Sequence, residues 1–210
     1  MDFSAYHLTL VVVALITGVL SPLSVQIFQY FVKKKEKSIE SLSNYESFEN
    51  ESRIIKKLEN VREKFNCDRV WLAEFHNGGK TYSGKSFQKF SLTYEVVRRG
   101  IAAEASTTQG IPTSLFSKFF QILNDKGYYQ ANDVKKADDV VAFTMQSFWN
   151  NRGTTSYVAI SIKDISNNFV GIMCLDGVLD KLNISKESIM ELTTIASALS
   201  GYLSQKKKKG

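Results

Sequence analysis

Cysteine, proline and histidine are all scarce in this 210-residue chain, and each scarcity excludes something. The two cysteines, Cys67 and Cys174, stand far apart and form neither a metal nor a redox spacing. They read as buried thiols acting as small hydrophobes. A disulfide between them requires an oxidising compartment. Two prolines and no low-complexity tract argue against long disordered regions. Only two histidines occur, His7 and His76, and His7 belongs to the apolar N-terminal stretch. One imidazole in the body of the chain assembles no metal set of the usual spacing. No glycine-rich loop runs into Lys-Ser/Thr and a helix, which excludes phosphate-loop nucleotide hydrolysis. No nucleophile motif follows the lone histidine. The expectation is a protein that is not an enzyme and carries no cofactor and no metal.

What is present begins with aromatics. Fourteen Phe and nine Tyr supply ample material for a core. The net charge of +6 is unevenly placed. Lys33, Lys34, Lys35 and Lys37 form one cluster, and Lys206 to Lys209 form another. Between Ser38 and Gln205 there are 19 Lys+Arg and 19 Asp+Glu, so the body is formally neutral. A neutral body does not favour nucleic acid as a partner. The two clusters suit anionic lipid headgroups, at roughly 1 kcal/mol per basic residue near the surface.

From Phe3 to Val32 there is no Asp, Glu, Lys or Arg. Leu8 to Val32 is 25 residues long and 17 of them are apolar. About 20 helical residues cross a bilayer core, so the stretch predicts one membrane span. A signal peptide fits poorly, because no basic residue precedes the apolar run. Pro22 removes one helical hydrogen bond, and Ser21 and Ser24 are placed to re-satisfy freed carbonyls. Gln26 and Gln29 lie three apart. They mark either the headgroup boundary beside Tyr30 or a contact with a second copy of the helix. The lysines after the span predict a cytoplasmic soluble domain.

The remaining chain alternates between periods of 3.6 and 2. Ser38 to Phe65 predicts a helix, with Ile54, Ile55, Leu58, Val61 and Phe65 on its apolar side. Cys67 to His76 predicts a strand, with Val70, Leu72 and Glu74 on one face and Trp71, Ala73 and Phe75 on the other. Asn77-Gly78-Gly79 is a turn signal. Lys89 to Val97 predicts a second strand, with Phe90, Leu92, Tyr94 and Val96 on one face and Ser91, Thr93 and Glu95 on the other. Pro112 to about Asp125 predicts a helix closed by Gly127. Tyr128 to Ala131 predicts a short strand, and Asp138 to Asn151 a helix closed by Gly153. Tyr157 to Ile165 and Phe169 to Gly177 predict a hairpin across Ser166-Asn167-Asn168. A last helix, capped by Ser185, carries Ile189, Leu192, Ile195, Ala196, Leu199 and Leu203 on one side.

The domain organisation follows: 1–37 as membrane anchor with a basic flank, 38–48 as helical linker, 49–205 as an α+β domain, and 206–210 as a basic tail. The expected fold class is α+β, a transmembrane helix followed by an antiparallel sheet flanked by helices.

Glu74-Phe75-His76-Asn77-Gly78-Gly79 is the most polar segment with functional character. Glu74 and His76 share one strand face, about 7 Å apart. They suit either ligand contact near the sheet end or a local hydrogen bond that merely holds a turn. Ser91 and Glu95 read either as a solvated strand face or as pocket lining. Asp176 ends a strand, where it either caps the next turn or binds. Arg98-Arg99 offers guanidinium groups to a carboxylate. The ligand candidates are therefore Glu74, His76, Asn77, Ser91, Glu95 and Asp176.

The hairpin Ser156 to Ile162 with Phe169 to Asp176, and the closing helix, resemble a GAF domain, a sensory module related to the PAS fold. The likeness covers about Glu49 to Leu203. It implies a GAF/PAS-like sheet with a pocket on one face, and a small-molecule ligand or a protein partner. No bilin-attaching cysteine stands at a chromophore position, and no cyclic-nucleotide signature is present. The layout also resembles holins of the T-even phage type, with one early span, a connecting helix and an α/β domain. In that resemblance Gln26 and Gln29 are helix–helix contacts and the soluble domain sets lysis timing. Such holins place that domain in the periplasm, opposite to what Lys33 to Lys37 predict. The leading expectation is a single-pass, membrane-tethered sensory or binding module facing the cytoplasm. Its expected partners are the lipid bilayer and further copies of itself. A bare structural anchor for a complex is the weakest of the three readings.

Overall fold

The computed structural model describes residues 21–80, 83, 84, 86–137 and 139–204. The chain divides into two compact units, Met1–Glu49 and Asn50–Gly210. In the first, the described residues open a long helix, α1 (Ser21–Lys64). Nothing between Lys33 and Lys64 is Gly or Pro, so nothing interrupts its hydrogen-bond ladder. Gln26 and Gln29 are exposed there, as are Phe28, Tyr30, Phe31 and Lys33 to Lys35. Leu8 to Leu20, the larger part of the expected span, lies outside the described residues. Among the described residues no helix is long and apolar enough to cross a membrane.

The second unit is built on one six-stranded antiparallel sheet. Its strands are β1 (Arg69–Lys80), β2 (Ser86–Val97), β3 (Ile111–Pro112), β4 (Tyr128–Ala131), β5 (Ser156–Lys163) and β6 (Phe169–Gly177), in the order β3-β2-β1-β6-β5-β4. The helices are α2 (Ser117–Lys126), α3 (Val140–Asn151) and α4 (Lys186–Ser204), and a 3₁₀ turn spans Thr113–Phe116. β5, β6 and the first five residues of β1 (Arg69 to Ala73) are buried at nearly every position, because both faces of the sheet are covered there. One face carries Val70, Leu72, Val158, Ile160, Ile162, Met173 and Leu175. It packs on Ile54, Leu58 and Val61 of α1 and on Leu192, Ala196 and Leu199 of α4. The other face carries Trp71, Ala73, Phe90, Leu92, Tyr157 and Ile172, and packs on α2 and α3. Each fully buried aliphatic side chain contributes about 1.5–3 kcal/mol.

Local chemistry sets the element ends. The Asp139 carboxylate accepts the Ala142 N–H at 2.6 Å and caps α3. The Ser185 hydroxyl accepts the Ser188 N–H at 3.2 Å and caps α4. Gly127 closes α2 at φ 85°, a left-handed conformation in which its N–H donates to the Leu123 carbonyl. Gly171 in β6 has no room for a side chain, since a Cβ there would lie 2.5 Å from the Ala73 carbonyl oxygen.

Four expectations are corrected. Asn77-Gly78-Gly79 is not a turn: β1 continues to Lys80, with Asn77 opposite Gln88 and Lys80 opposite Ser86 across a register shift. The earlier start of β2 at Ser86 supplies the backbone partners that keep the segment extended. Pro112 belongs to β3, and the 3₁₀ turn, not an α-helix, follows it. Asp139 stands outside α3 as its cap, so the helix begins at Val140. The largest correction concerns β2. Leu72 pairs with Tyr94 but Ala73 pairs with Leu92, so Thr93 is an extra residue, a β-bulge. Phe90 and Leu92 therefore face α2 and α3, whereas Tyr94 and Val96 pack on the opposite face. Glu95 moves with this switch from an expected polar face to the aromatic core.

A closed aromatic chamber and a buried charge cluster

The face of the sheet beneath α2 and α3 is dominated by rings. Phe119, Phe120, Trp149, Tyr129 and Tyr157 form a chain of edge-on, tilted and stacked contacts between 5.3 and 6.3 Å. Trp71, Phe90, Phe116, Phe120, Met145 and Phe148 enclose a residual cavity of about 10 Å³. That is about the lower limit for a single water molecule. The space where this face would hold a ligand is filled by the protein's own side chains.

Four charged side chains sit at one end of this chamber. Arg69 (β1), Glu95 (β2) and Asp176 (β6) occupy adjacent strands, and Arg152 follows α3. Their side chains are 1–4% exposed. Arg69 Nη1 donates to Asp176 Oδ2 at 2.7 Å. Arg69 Nε lies 3.4 Å from Glu95 Oε1. Arg152 lies 3.9 Å from Glu95 and 3.8 Å from Asp176. The Trp71 indole N–H donates to Asp176 Oδ1 at 3.3 Å. Two guanidiniums and two carboxylates cancel in charge, which is what allows all four to be buried.

The cluster also holds a loop. Glu95 Oε2 accepts the N–H groups of Glu104 and Ala105 at 2.7 and 2.9 Å. Arg69 Nη2 donates to the Ala102 carbonyl at 3.0 Å, and Arg152 Nη1 to the Thr108 hydroxyl at 2.8 Å. Residues 98–110 are thereby tied across the end of the sheet. The Arg152 guanidinium carbon lies 5.1 Å from the Trp71 ring centre and 4.8 Å from that of Phe148. It forms a cationic wall against two chamber rings.

The six expected ligand residues do not converge. Glu74, His76 and Ser91 lie on the sheet face shared with α1 and α4, and Glu95 and Asp176 on the opposite face. A pocket formed jointly by Glu74, His76 and Glu95 is thus ruled out by the Thr93 bulge, which turns Glu95 away. His76 is exposed, with Nε2 2.9 Å from the Ser91 hydroxyl, and that hydroxyl accepts the Gly110 N–H at 2.9 Å. The pair ties β1, β2 and the approach to β3 together. Asn77 is exposed and lines an open groove beside α2. Arg98 pairs with Asp68 at 3.1 Å, and Asp68 accepts the N–H groups of Val178 and Leu179 at 2.7 Å each.

Sequence reasoning missed Arg69 and Arg152. Arg69 had a signal: it shares strand parity with Trp71 and Ala73, and Asp176 shares parity with Ile172 and Cys174. A charge at the inward position of each of two strands implies a buried pair. Arg152 had no such signal, since it lies in a helix-to-strand turn.

Burial governs the thiols. It pushes Cys67 up to about 12, and its Sγ donates weakly to the Arg62 carbonyl at 3.8 Å. Burial likewise raises Cys174 and Tyr157 well above their usual ranges, and the Tyr157 hydroxyl donates to Cys174 Sγ at 3.0 Å. Neither thiol ionises near neutrality, so neither is a ready nucleophile. Tyr129 is also raised, by burial first and then by the Asp139 carboxylate its hydroxyl meets at 3.2 Å.

No protein-family model matches the chain, and no curated protein matches it. Solved structures do match. The blue-light-absorbing form of the PixJ GAF domain of Thermosynechococcus elongatus superposes with a TM-score of 0.59 at 16% identity, over 76% of this chain and 88% of that one. A far-red cyanobacteriochrome photoreceptor gives 0.62 at 13% identity, over 84% and 98%. The phycocyanobilin-bound GAF domain of a cyanobacterial phytochrome gives 0.57 at 14% identity, over 74% and 85%. At these identities the likeness is one of fold: an α+β, GAF-like domain.

Proposed function

We propose that this chain is a sensory module: a GAF-like domain that answers a small ligand or a protein partner, tethered to a membrane by its N-terminal segment and without catalytic activity of its own. The observation that carries the reading is the aromatic chamber on one sheet face, bounded by Arg152 and closed by a loop that the charge cluster holds. Solved domains of the same fold bind a tetrapyrrole, as the phycocyanobilin-bound example states. A cavity of about 10 Å³ does not seat such a group. A chamber ligand here must be small, or α3 must move to admit it. Tethering rests on the uncharged stretch Phe3 to Val32 and on the lysines that follow.

Two measurements test the proposal. Alkaline phosphatase and, separately, a fluorescent protein fused to the C-terminus of the chain report topology. Fluorescence without phosphatase activity supports a cytoplasmic sensor, and the reverse sinks it. A thermal-shift screen of the detergent-solubilised chain against a metabolite library reports binding. Stabilisation by at least one compound supports ligand sensing. A flat response across the library removes the small-ligand half of the proposal.

A further inference from the structure

The two edges of the sheet differ. β3 is two residues long and contains Pro112, which has no N–H to offer a further strand. β4, at the other edge, reads Tyr128-Tyr129-Gln130-Ala131, without Pro or Lys, and pairs with β5 in an unbroken register. That pairing decides which backbone groups are spent. The Ser161 N–H donates to the Gly127 carbonyl at 2.9 Å, and Tyr129 and Ala131 lie two and four residues on, opposite Ala159 and Tyr157. These residues turn their backbone groups toward β5. Tyr128 and Gln130 turn their N–H and C=O outward, and among the described residues no strand pairs with them there.

A cleft of about 370 Å³ lies at this edge, lined by β4, by Ile122 and Lys126 of α2 and by Asp139 at the start of α3. Next to Asp139, α3 exposes two apolar side chains, Val140 at 65% and Phe143 at 87%. Phe143 is four residues from Asp139 and so lies on the same side of the helix. An edge that nothing blunts is a template for a further strand, and the apolar pair gives such a strand something to pack against. We propose that β4 receives an extended segment of a protein partner as an added antiparallel strand, with apolar residues at alternate positions turned toward Ile122, Val140 and Phe143. The inference rests on the sensory reading above and names the partner surface of that reading. Outward groups that recur every second residue, about 6.8 Å apart, match the repeat of an extended chain. Every strand pair in this sheet is antiparallel. A second copy of this chain fits the edge less well. Paired strands stand about 4.8 Å apart, whereas packed helices need about 8–10 Å. A copy entering by its own β4 brings its own α2 onto this one, and a lone segment brings no helix.

The probe is acetyl-Thr-Val-Thr-Val-Thr-Val-Thr-amide, added to the full chain in detergent. The readouts are its affinity and the hydrogen exchange of the Tyr128 and Gln130 backbone amides. Both amides are expected to exchange about tenfold or more slowly once the peptide is bound, as new hydrogen bonds require. Residues opposite Tyr128 and Gln130 share their sheet face, so the threonines pair with β4 and the valines turn toward the helices. N-methylation of the threonine amides is therefore expected to weaken binding about tenfold or more, and methylation of the valine amides to change it little. Gln130→Pro removes an outward N–H and leaves the β5 ladder intact, and it is expected to weaken the peptide about tenfold. Gln130→Ala keeps that N–H and is expected to bind as the parent does. The methylated peptides act on the parent chain, so they decide the matter even where Gln130→Pro fails to fold. Binding that ignores a folded Gln130→Pro, or that both methylations weaken alike, overturns the edge. Self-association of the peptide-free chain that Gln130→Pro abolishes overturns the separate partner and makes a second copy the occupant. Absence of peptide binding, with stabilisation by a compound in the metabolite screen, overturns the edge alone. Absence of both overturns the edge and small-ligand sensing together.

Discussion

Replacing Asp176 by Leu tests the charge cluster most directly. The change removes the 2.7 Å partner of Arg69, the 3.8 Å partner of Arg152 and the acceptor of the Trp71 N–H. Two guanidiniums then share only Glu95 in a site no more than 4% exposed. Removing one member of a buried pair costs about 3–5 kcal/mol, chiefly through the uncompensated charge left behind. For a chain of this size each kcal/mol moves the midpoint by about 2–4 °C, so the thermal transition is expected about 6–20 °C lower. Arg69→Met alone strands Asp176 and costs a similar amount. The double variant Arg69→Met/Asp176→Leu removes both charges, leaves the remaining Arg152 and Glu95 balanced, and fills the space with apolar groups. Its loss is expected to be smaller than the two single losses combined by at least about 1 kcal/mol. Urea unfolding followed by circular dichroism measures all three, at low and high salt. A buried cluster is little screened, so the pattern persists in salt. An Asp176→Leu variant within about 1 kcal/mol of the parent, or strict additivity in the cycle, would refute the assignment of a coupled buried network.

Three further outcomes are expected. Deleting Thr93 removes the extra residue, so plain alternation keeps Phe90 and Leu92 on one face and Tyr94 and Val96 on the other; a retained cooperative unfolding transition is expected, and its loss refutes the register. Gly171→Ala drives a Cβ into the Ala73 carbonyl of the central strand, and a loss of about 1–3 kcal/mol in urea unfolding is expected, with no loss counting against that close approach. Cys67 is held protonated in the fold up to about 12 against an ordinary value of 9.0. Its contribution to stability is complete below pH 9 and is lost between pH 9 and about 12, as the unfolded chain ionises first. Cys67→Ala should flatten the stability curve in that window and nowhere below it, and thiol titration of the folded parent at about pH 8 should be slow until denaturant is added.

Much of the fold was legible in the sequence. The β5–β6 hairpin, the Ser185-capped α4 and the Leu58–Val61 stripe each follow from one period read over a long, regular segment. Local chemistry sufficed there: Asp164 and Asn167 shape the hairpin turn, with Asp164 Oδ1 accepting the N–H groups of Ser166 and Asn168 at 2.9 Å each. The candidate site was far less legible. Of the six residues nominated, Glu95 and Asp176 joined the buried cluster, Glu74, His76 and Ser91 fell on the opposite face, and Asn77 went to the open groove. Asn77-Gly78-Gly79 looked like a turn because those residue types usually are one. Only the partner strand, with Gln88 and Ser86 in place, holds them extended.

The sequence by itself determined the periodic parts and the neutral body between two lysine clusters. Those are properties of neighbouring residues and of their spacing along the chain. Tertiary structure alone decided three things. It placed an extra residue at Thr93, which reverses a strand's faces and is invisible to a period of two. It brought Arg152 from a turn to the side chains of β1, β2 and β6. It also decided that the aromatic chamber is full while a groove beside it is open. Each depends on which distant groups compete for one volume, and spacing along a chain carries no measure of volume.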